Sequence, residues 1–153
     1  MSPRTKALLF GGDGGNSPPA DLGLLVLRLA FGLALAFGHG MGKLPPGENL
    51  VRSVTELGFP LPGLFAWAAA LSEFGGGLLL ALGLLTRPAA AFVLFTMAVA
   101  FFLQHAGDPF GDREASFLFA SAALTLLLTG SGRYGVDATF RRRDSGRYVE
   151  RYR

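Results

Sequence analysis

The chain has 153 residues, half of them hydrophobic and only 16% charged, against roughly 25% charged in an average soluble domain. Its mean hydropathy is +0.41, and the charges leave four long apolar runs nearly bare, which excludes an ordinary soluble core and points to one small membrane domain. There are no cysteines, so disulfides, thiolate metal sites, CxxC redox pairs and haem attachment are excluded. The net charge of +3 sits mainly in an arginine-rich stretch beside a membrane span, a pattern that fits topology and anionic lipid rather than nucleic acid.

Residues 1–21 are rich in Gly, Pro, Asn and Ser and read as a flexible lead. Their apolar core, Ala7 to Phe10, is too short for a signal peptide. A membrane domain over 22–132 follows, with predicted spans at 22–41, 64–85, 89–105 and 114–128. Asp21 is placed to cap the first span. Between the first two, Pro45, Pro46, Gly47, Pro60 and Pro62 mark a loop, in which Leu50 to Leu57 reads as a short interfacial helix. Thr86-Arg87-Pro88 reads as a tight turn, with the proline suited to the next helix's first turn. The polar segment Gly107 to Arg113 leads into the fourth span, which Gly130-Ser131-Gly132 ends. Residues 133–153 form a tail carrying seven arginines.

Four spans put both termini on one side. That side carries Arg4, Lys6, Arg87 and the seven tail arginines, whereas Lys43, Arg52 and Arg113 fall on the other. The asymmetry predicts cytoplasmic termini. The expected fold class is therefore all-α, a four-transmembrane-helix bundle with both termini cytoplasmic.

Small residues recur at spacing four. In the first span Ala30, Ala34, Gly38 and Gly42 form one stripe, beside Gly32, Ala36 and Gly40. In the second, Ala69, Glu73, Gly77 and Ala81 share a face. Such stripes let helices approach closely in lipid, where apolar burial gives no preference between helices. Glu73 is thereby directed into a helix interface. A carboxylate there costs roughly 2.5–3.5 kcal/mol on insertion scales, which makes it a candidate proton relay or polar-ligand anchor, a structural ion pair being the plainer alternative.

Arg28 and His39 lie eleven residues apart, close to three turns, and share a face with Gly32 and Lys43. This ridge either faces Glu73 or consists of a snorkelling arginine and interfacial residues. Glu73 has two candidate partners on it: Arg28 through its long side chain, or His39 through water. Gly75, Gly76 and Gly77 weaken their helix, for close packing or for a kink. Gln104, His105 and Glu114 bracket the second loop, with Asp108 and Asp112 between them, and with His39 and Lys43 outline a polar cup. The spacing matches no metal motif, and no metal is expected. A quinone or another polar-headed lipid suits His39, Glu73 and His105 better. Trp67 is placed as an interfacial anchor.

Taken in order, LRLAFG with Arg28, HGMGK from His39 to Lys43, LGFPLP from Leu57, EFGGGLLLALGLLTRPAA from Glu73, Glu114 opening the fourth span, and GRYGVD from Gly132 resemble the DoxX family of small four-helix membrane proteins. The resemblance implies a bacterial inner-membrane, multi-pass protein. It also implies a relation to subunits of membrane oxidoreductases, quinone-linked ones among them, or to thiol and oxidative-stress systems. Carried over by position, the polar family residues are Arg28, His39, Lys43, Glu73 and Glu114. With no cysteines, a role using the chain's own thiols is not expected. The expected function is a membrane subunit of a redox complex, at most accessory to a quinone-linked oxidoreductase. Glu73 and His39 carry the chemistry, while Arg28, Lys43, His105 and Glu114 contribute to binding. Membrane lipids and a protein partner or second copy are the expected partners, and nucleic acid is not. The alternatives are an assembly subunit without chemistry of its own, or a small lipid-binding or proton-coupled transport protein.

Overall fold

The computed structural model describes residues 17–140; the first sixteen residues and the tail from residue 141 onward lie outside the described residues. Among the described residues all regular structure is helical. We label the helices α1 (Pro18–Lys43), α2 (Glu48–Glu56), α3 (Pro62–Leu82), α4 (Thr86–Gln104) and α5 (Phe110–Thr129).

α1 starts four residues earlier than the predicted span, at Pro18-Pro19. Proline needs no amide partner in a first turn and its φ is already helical. Asp21 is therefore inside the helix rather than capping it, and its carboxylate accepts a bond from the Arg133 backbone N–H at 2.9 Å. α2 forms where a short helix was expected, starting two residues earlier and ending one residue sooner. α4 starts at Thr86, so the turn before it is Gly83 to Leu85, with Gly83 and Leu85 in the left-handed region. α5 also starts early, at Phe110. Its first turns carry Asp112, Arg113 and Glu114, and Ser116, Ser121, Thr125 and Thr129 follow. Three helices, α1, α3 and α4, are long and apolar enough to cross a membrane; α5 is long enough but more polar.

Three of the helices are not regular throughout. Ala34–Gly40 in α1, Ser72–Gly76 in α3 and Ala100–Gln104 in α4 are π-helical turns with i→i+5 bonding. Each π turn advances less per residue than an α turn, so the face presented after it is rotated from the one a 3.6-residue period extrapolates. Only one of the two small-residue stripes on α1 is used. Gly32, Ala36 and Gly40 are buried, whereas Ala30, Ala34, Gly38 and Gly42 are exposed. A methyl group on Gly32 would strike the Gly77 carbonyl and Ala81, and one on Gly77 would strike the Gly32 carbonyl and Ala36. α1 and α3 thus meet backbone to backbone. Gly76 packs on Val93 of α4, and Gly75 has open space.

The apolar core lies among α1, α3, α4 and α5, around Phe31, Leu35, Leu80, Val93, Met97 and Leu126. α1 with α3 and α4 with α5 form the two most extensive helix pairs. The outward faces are lined by exposed Leu, Val and Phe, including Val26, Phe37, Phe92, Phe95 and Phe102, as a lipid-facing surface requires. Trp67 is 46% exposed near the start of α3.

Candidate functional site

The four-helix core has two polar ends. One, the loop end, carries residues 44–61 and 105–109. The other, the terminal end, carries residues 17–21, the Gly83–Leu85 turn and residues 130–140.

At the loop end, Lys43 Nζ lies 2.6 Å from Glu73 Oε1 and 2.7 Å from Oε2. The ammonium therefore bridges both carboxylate oxygens. The Glu73 side chain is 4% exposed and that of Lys43 is 38% exposed, so the carboxylate is sealed while the amine keeps one side open. Local sequence makes this geometry. Gly40, in the π turn of α1, packs against the backbone of Glu73 and Phe74, where any Cβ would collide. That contact brings Lys43, three residues on, over the π turn of α3 that holds Glu73. Phe37 and Phe74 meet edge to face at 6.2 Å beside it. Ser72 and Thr96 tie the same π turn to α4 by a 3.0 Å hydroxyl bond. Irregular π turns recur at functional positions because they re-aim side chains that a regular helix would not bring together.

Of the predicted ridge on α1, only Lys43 reaches Glu73. His39 is exposed, rotated away by the π turn, and its ring stands edge-on to Phe119 of α5 at 5.0 Å. Arg28 is neither Glu73's partner nor a snorkelling residue. It lies at the terminal end, completely buried. Its Nη1 donates to the Ala81 carbonyl at 3.5 Å, while its Nε and Nη2 have no hydrogen-bond partner. His105 Nδ1 pairs with Asp108 at 2.7 Å within the α4–α5 loop. Glu114 is exposed in the first turns of α5. Among the described residues no hydrogen bond or ion pair joins His39, His105 or Glu114 to Glu73, and no cluster of metal-ligating side chains forms.

A second polar constellation, at the terminal end, was not anticipated. Asp137 is completely buried. Its carboxylate accepts bonds from the backbone N–H groups of Leu85 (2.8 Å) and Thr86 (2.9 Å) and from the Thr86 hydroxyl (2.7 Å). Its own N–H donates to the Gly83 carbonyl. It thus caps the start of α4 from fifty residues away, and its charge acts on Arg28. Gly83 has no room for a side chain because the Arg28 guanidinium and Gly135 occupy that space. The only sequence signal was the GRYGVD motif itself, which names the residues but not what they cap.

The DoxX family profile matches residues 23–106, which hold Arg28, His39, Lys43 and Glu73. The chain belongs to the DoxX family. It is 32% identical to "Inner membrane protein YphA" of Escherichia coli (strain K12) over 123 residues, 74% of this chain and 87% of the relative. It is 33% identical to "Inner membrane protein YqjF" of the same organism, covering 76% and 91%. It is 30% identical to "Putative oxidoreductase CatD" of Bacillus subtilis (strain 168), covering 76% and 86%. No solved structure matches. With three helices of spanning length and this family membership, the chain is a multi-pass protein of the inner membrane.

Proposed function

We propose that this DoxX-family protein is a four-span membrane subunit of a redox system, with both termini cytoplasmic, and that Lys43 and Glu73 hold the polar headgroup of a quinone-class lipid. One observation carries the reading: a nearly sealed carboxylate bridged on both oxygens by a half-open ammonium, at the loop end of the helix bundle. An ion pair in that position is expensive to maintain, and a purely structural one gives no reason for the open side at Lys43.

The donor set fits such a headgroup. The Lys43 ammonium donates to a quinone carbonyl, and the Glu73 carboxylate accepts from the hydroxyl of the reduced form. Phe37 and Phe74 offer apolar edges for a ring. When bound, the quinone supplies the electron-accepting chemistry. The chain's residues bind, orient and hold a proton at Glu73. Electrons come from a partner protein, since the sequence carries no motif for a redox centre of its own. The name of the Bacillus subtilis relative points the same way.

The four-span topology has its own support. Arg133 bonds to Asp21, so α5 begins at the loop end and finishes beside the start of α1. Its twenty residues extend about 30 Å, the thickness of the hydrocarbon core. A second reading, an assembly subunit without chemistry, draws on the open face of Ala30, Ala34, Gly38 and Gly42.

The test is purification in mild detergent, with solvent extraction for quinones and mass spectrometry for proteins. A quinone present near one per chain and lost in Glu73→Gln is the expected result. Wild-type protein that carries a partner but neither retains nor binds quinone would move the function to assembly.

A further inference from the structure

Glu73 is sealed from three directions. Toward α1, Gly32, Gly40 and Gly77 bring backbones into contact. Toward α4, Gly76 packs on Val93 and Ser72 bonds to Thr96. The seam between α4 and α5 is also extensively packed. The remaining seam, α1 against α5, is closed differently. There Phe119 reaches from α5 to α1, touching the Phe31 ring at 5.7 Å and the His39 ring at 5.0 Å. Side chains rather than backbones close it, and rotamer changes open such contacts on fast timescales without moving a helix. His39 is exposed at this seam and lies four residues before Lys43 in the chain.

We infer that a lipid-soluble, ring-headed ligand reaches the Lys43–Glu73 pair sideways from the bilayer, between α1 and α5, with Phe119 as the gate and His39 as the polar residue met on the way. The inference rests on the headgroup reading given above and specifies its route. Polar contact at His39 lets the headgroup leave the lipid in two stages, first to the imidazole and then to the ammonium four residues on in the chain. The tail stays in the seam among apolar side chains.

The native chain has no cysteine and one tryptophan, Trp67, six residues before Glu73 on the same helix. Both features serve the test. His39→Cys/Phe119→Cys is bridged in lipid nanodiscs with a short cleavable thiol crosslinker. Quenching of Trp67 by decylubiquinone is followed by stopped flow, with Glu73→Gln defining the non-specific background. Bridging is expected to slow specific quenching at least tenfold, and cleavage, with the reductant then removed, to restore it. Equal rates in the bridged and unbridged protein would overturn the route while leaving the headgroup site intact. Wild-type quenching no different from Glu73→Gln would overturn the headgroup reading and the route with it. Should the double variant fail to fold, Phe119→Ala carries the test. Faster exchange supports the gate, and an unchanged rate refutes it.

Discussion

At Glu73 the relevant quantity is what remains when one partner is removed. The carboxylate is sealed and has no hydrogen-bond partner other than Lys43 among the described residues. Lys43→Met therefore leaves a buried acceptor unsatisfied, a loss of about 1–3 kcal/mol. Glu73→Gln leaves a half-exposed ammonium that water still reaches, and costs less. The double variant Lys43→Met/Glu73→Gln removes both charges and recovers part of the loss, because unpaired buried charge rather than the missing pair does the damage. Melting of the four proteins in one detergent checks this ordering. Equal shifts for the two single variants would show that Glu73 has another route to solvent or to a proton. The sequence marked Glu73 as decisive and Lys43 as a candidate on one ridge. It did not pair them, because three α-helical turns from Arg28 led to His39, and the π turn at Ala34–Gly40 breaks that extrapolation.

Between elements, the α1–α3 seam explains why glycine occurs where it does. Two small-residue stripes on α1 looked equivalent, since spacing four fits both. The structure buries Gly32, Ala36 and Gly40 and exposes the other stripe. Nothing in a periodic pattern distinguishes them, because the choice depends on what α3 presents opposite. The difference is measurable. Gly40→Ala would drive a methyl into the backbone of Glu73 and Phe74, where no side chain can yield. Overpacking of this kind costs about 1–3 kcal/mol, and it should also disturb the Lys43–Glu73 distance and so weaken quinone retention. Gly38→Ala and Gly42→Ala meet open space and should be neutral or stabilising by up to about 1 kcal/mol through helix propensity. Melting and quinone content measured on the three variants separate the seam from the free face. A loss of stability in Gly38→Ala would instead mean that the exposed stripe is covered by another chain.

Across the whole molecule, the terminal end ties together segments far apart in sequence. Arg28 of α1, the Gly83–Leu85 turn, Thr86 of α4 and Asp137 after α5 share one buried cluster. The residues from 133 onward, read from sequence as an arginine-rich cytoplasmic tail, include buried Asp137 and Ala138, and Ser131 just before them is buried as well. Long-range caps of this kind leave no periodic trace, so only the motif was legible and its partners were not. The Asp137 carboxylate accepts three hydrogen bonds at the start of α4 and lies near enough for its charge to act on Arg28, so Asp137→Asn, which puts a donor where acceptors are needed, should destabilise by about 1–3 kcal/mol. In an Arg28→Met background only the part that acts through Arg28 is removed, and the double-mutant cycle reads that coupling directly. The same cluster bears on topology. Asp21 and Arg133 are bonded, so whichever side holds one holds the other, and the topology proposed above from the charge asymmetry puts that side in the cytoplasm. The cysteine-free chain allows a direct check. Glu48→Cys on the loop end and Thr139→Cys on the terminal end are both exposed positions. In intact spheroplasts a membrane-impermeant maleimide should label the first and reach the second only after permeabilisation. The reverse pattern would invert the bundle. Labelling of both in intact spheroplasts would place the two ends on one side of the membrane, which the bond between Asp21 and Arg133 allows only if α5 lies along the surface together with α1.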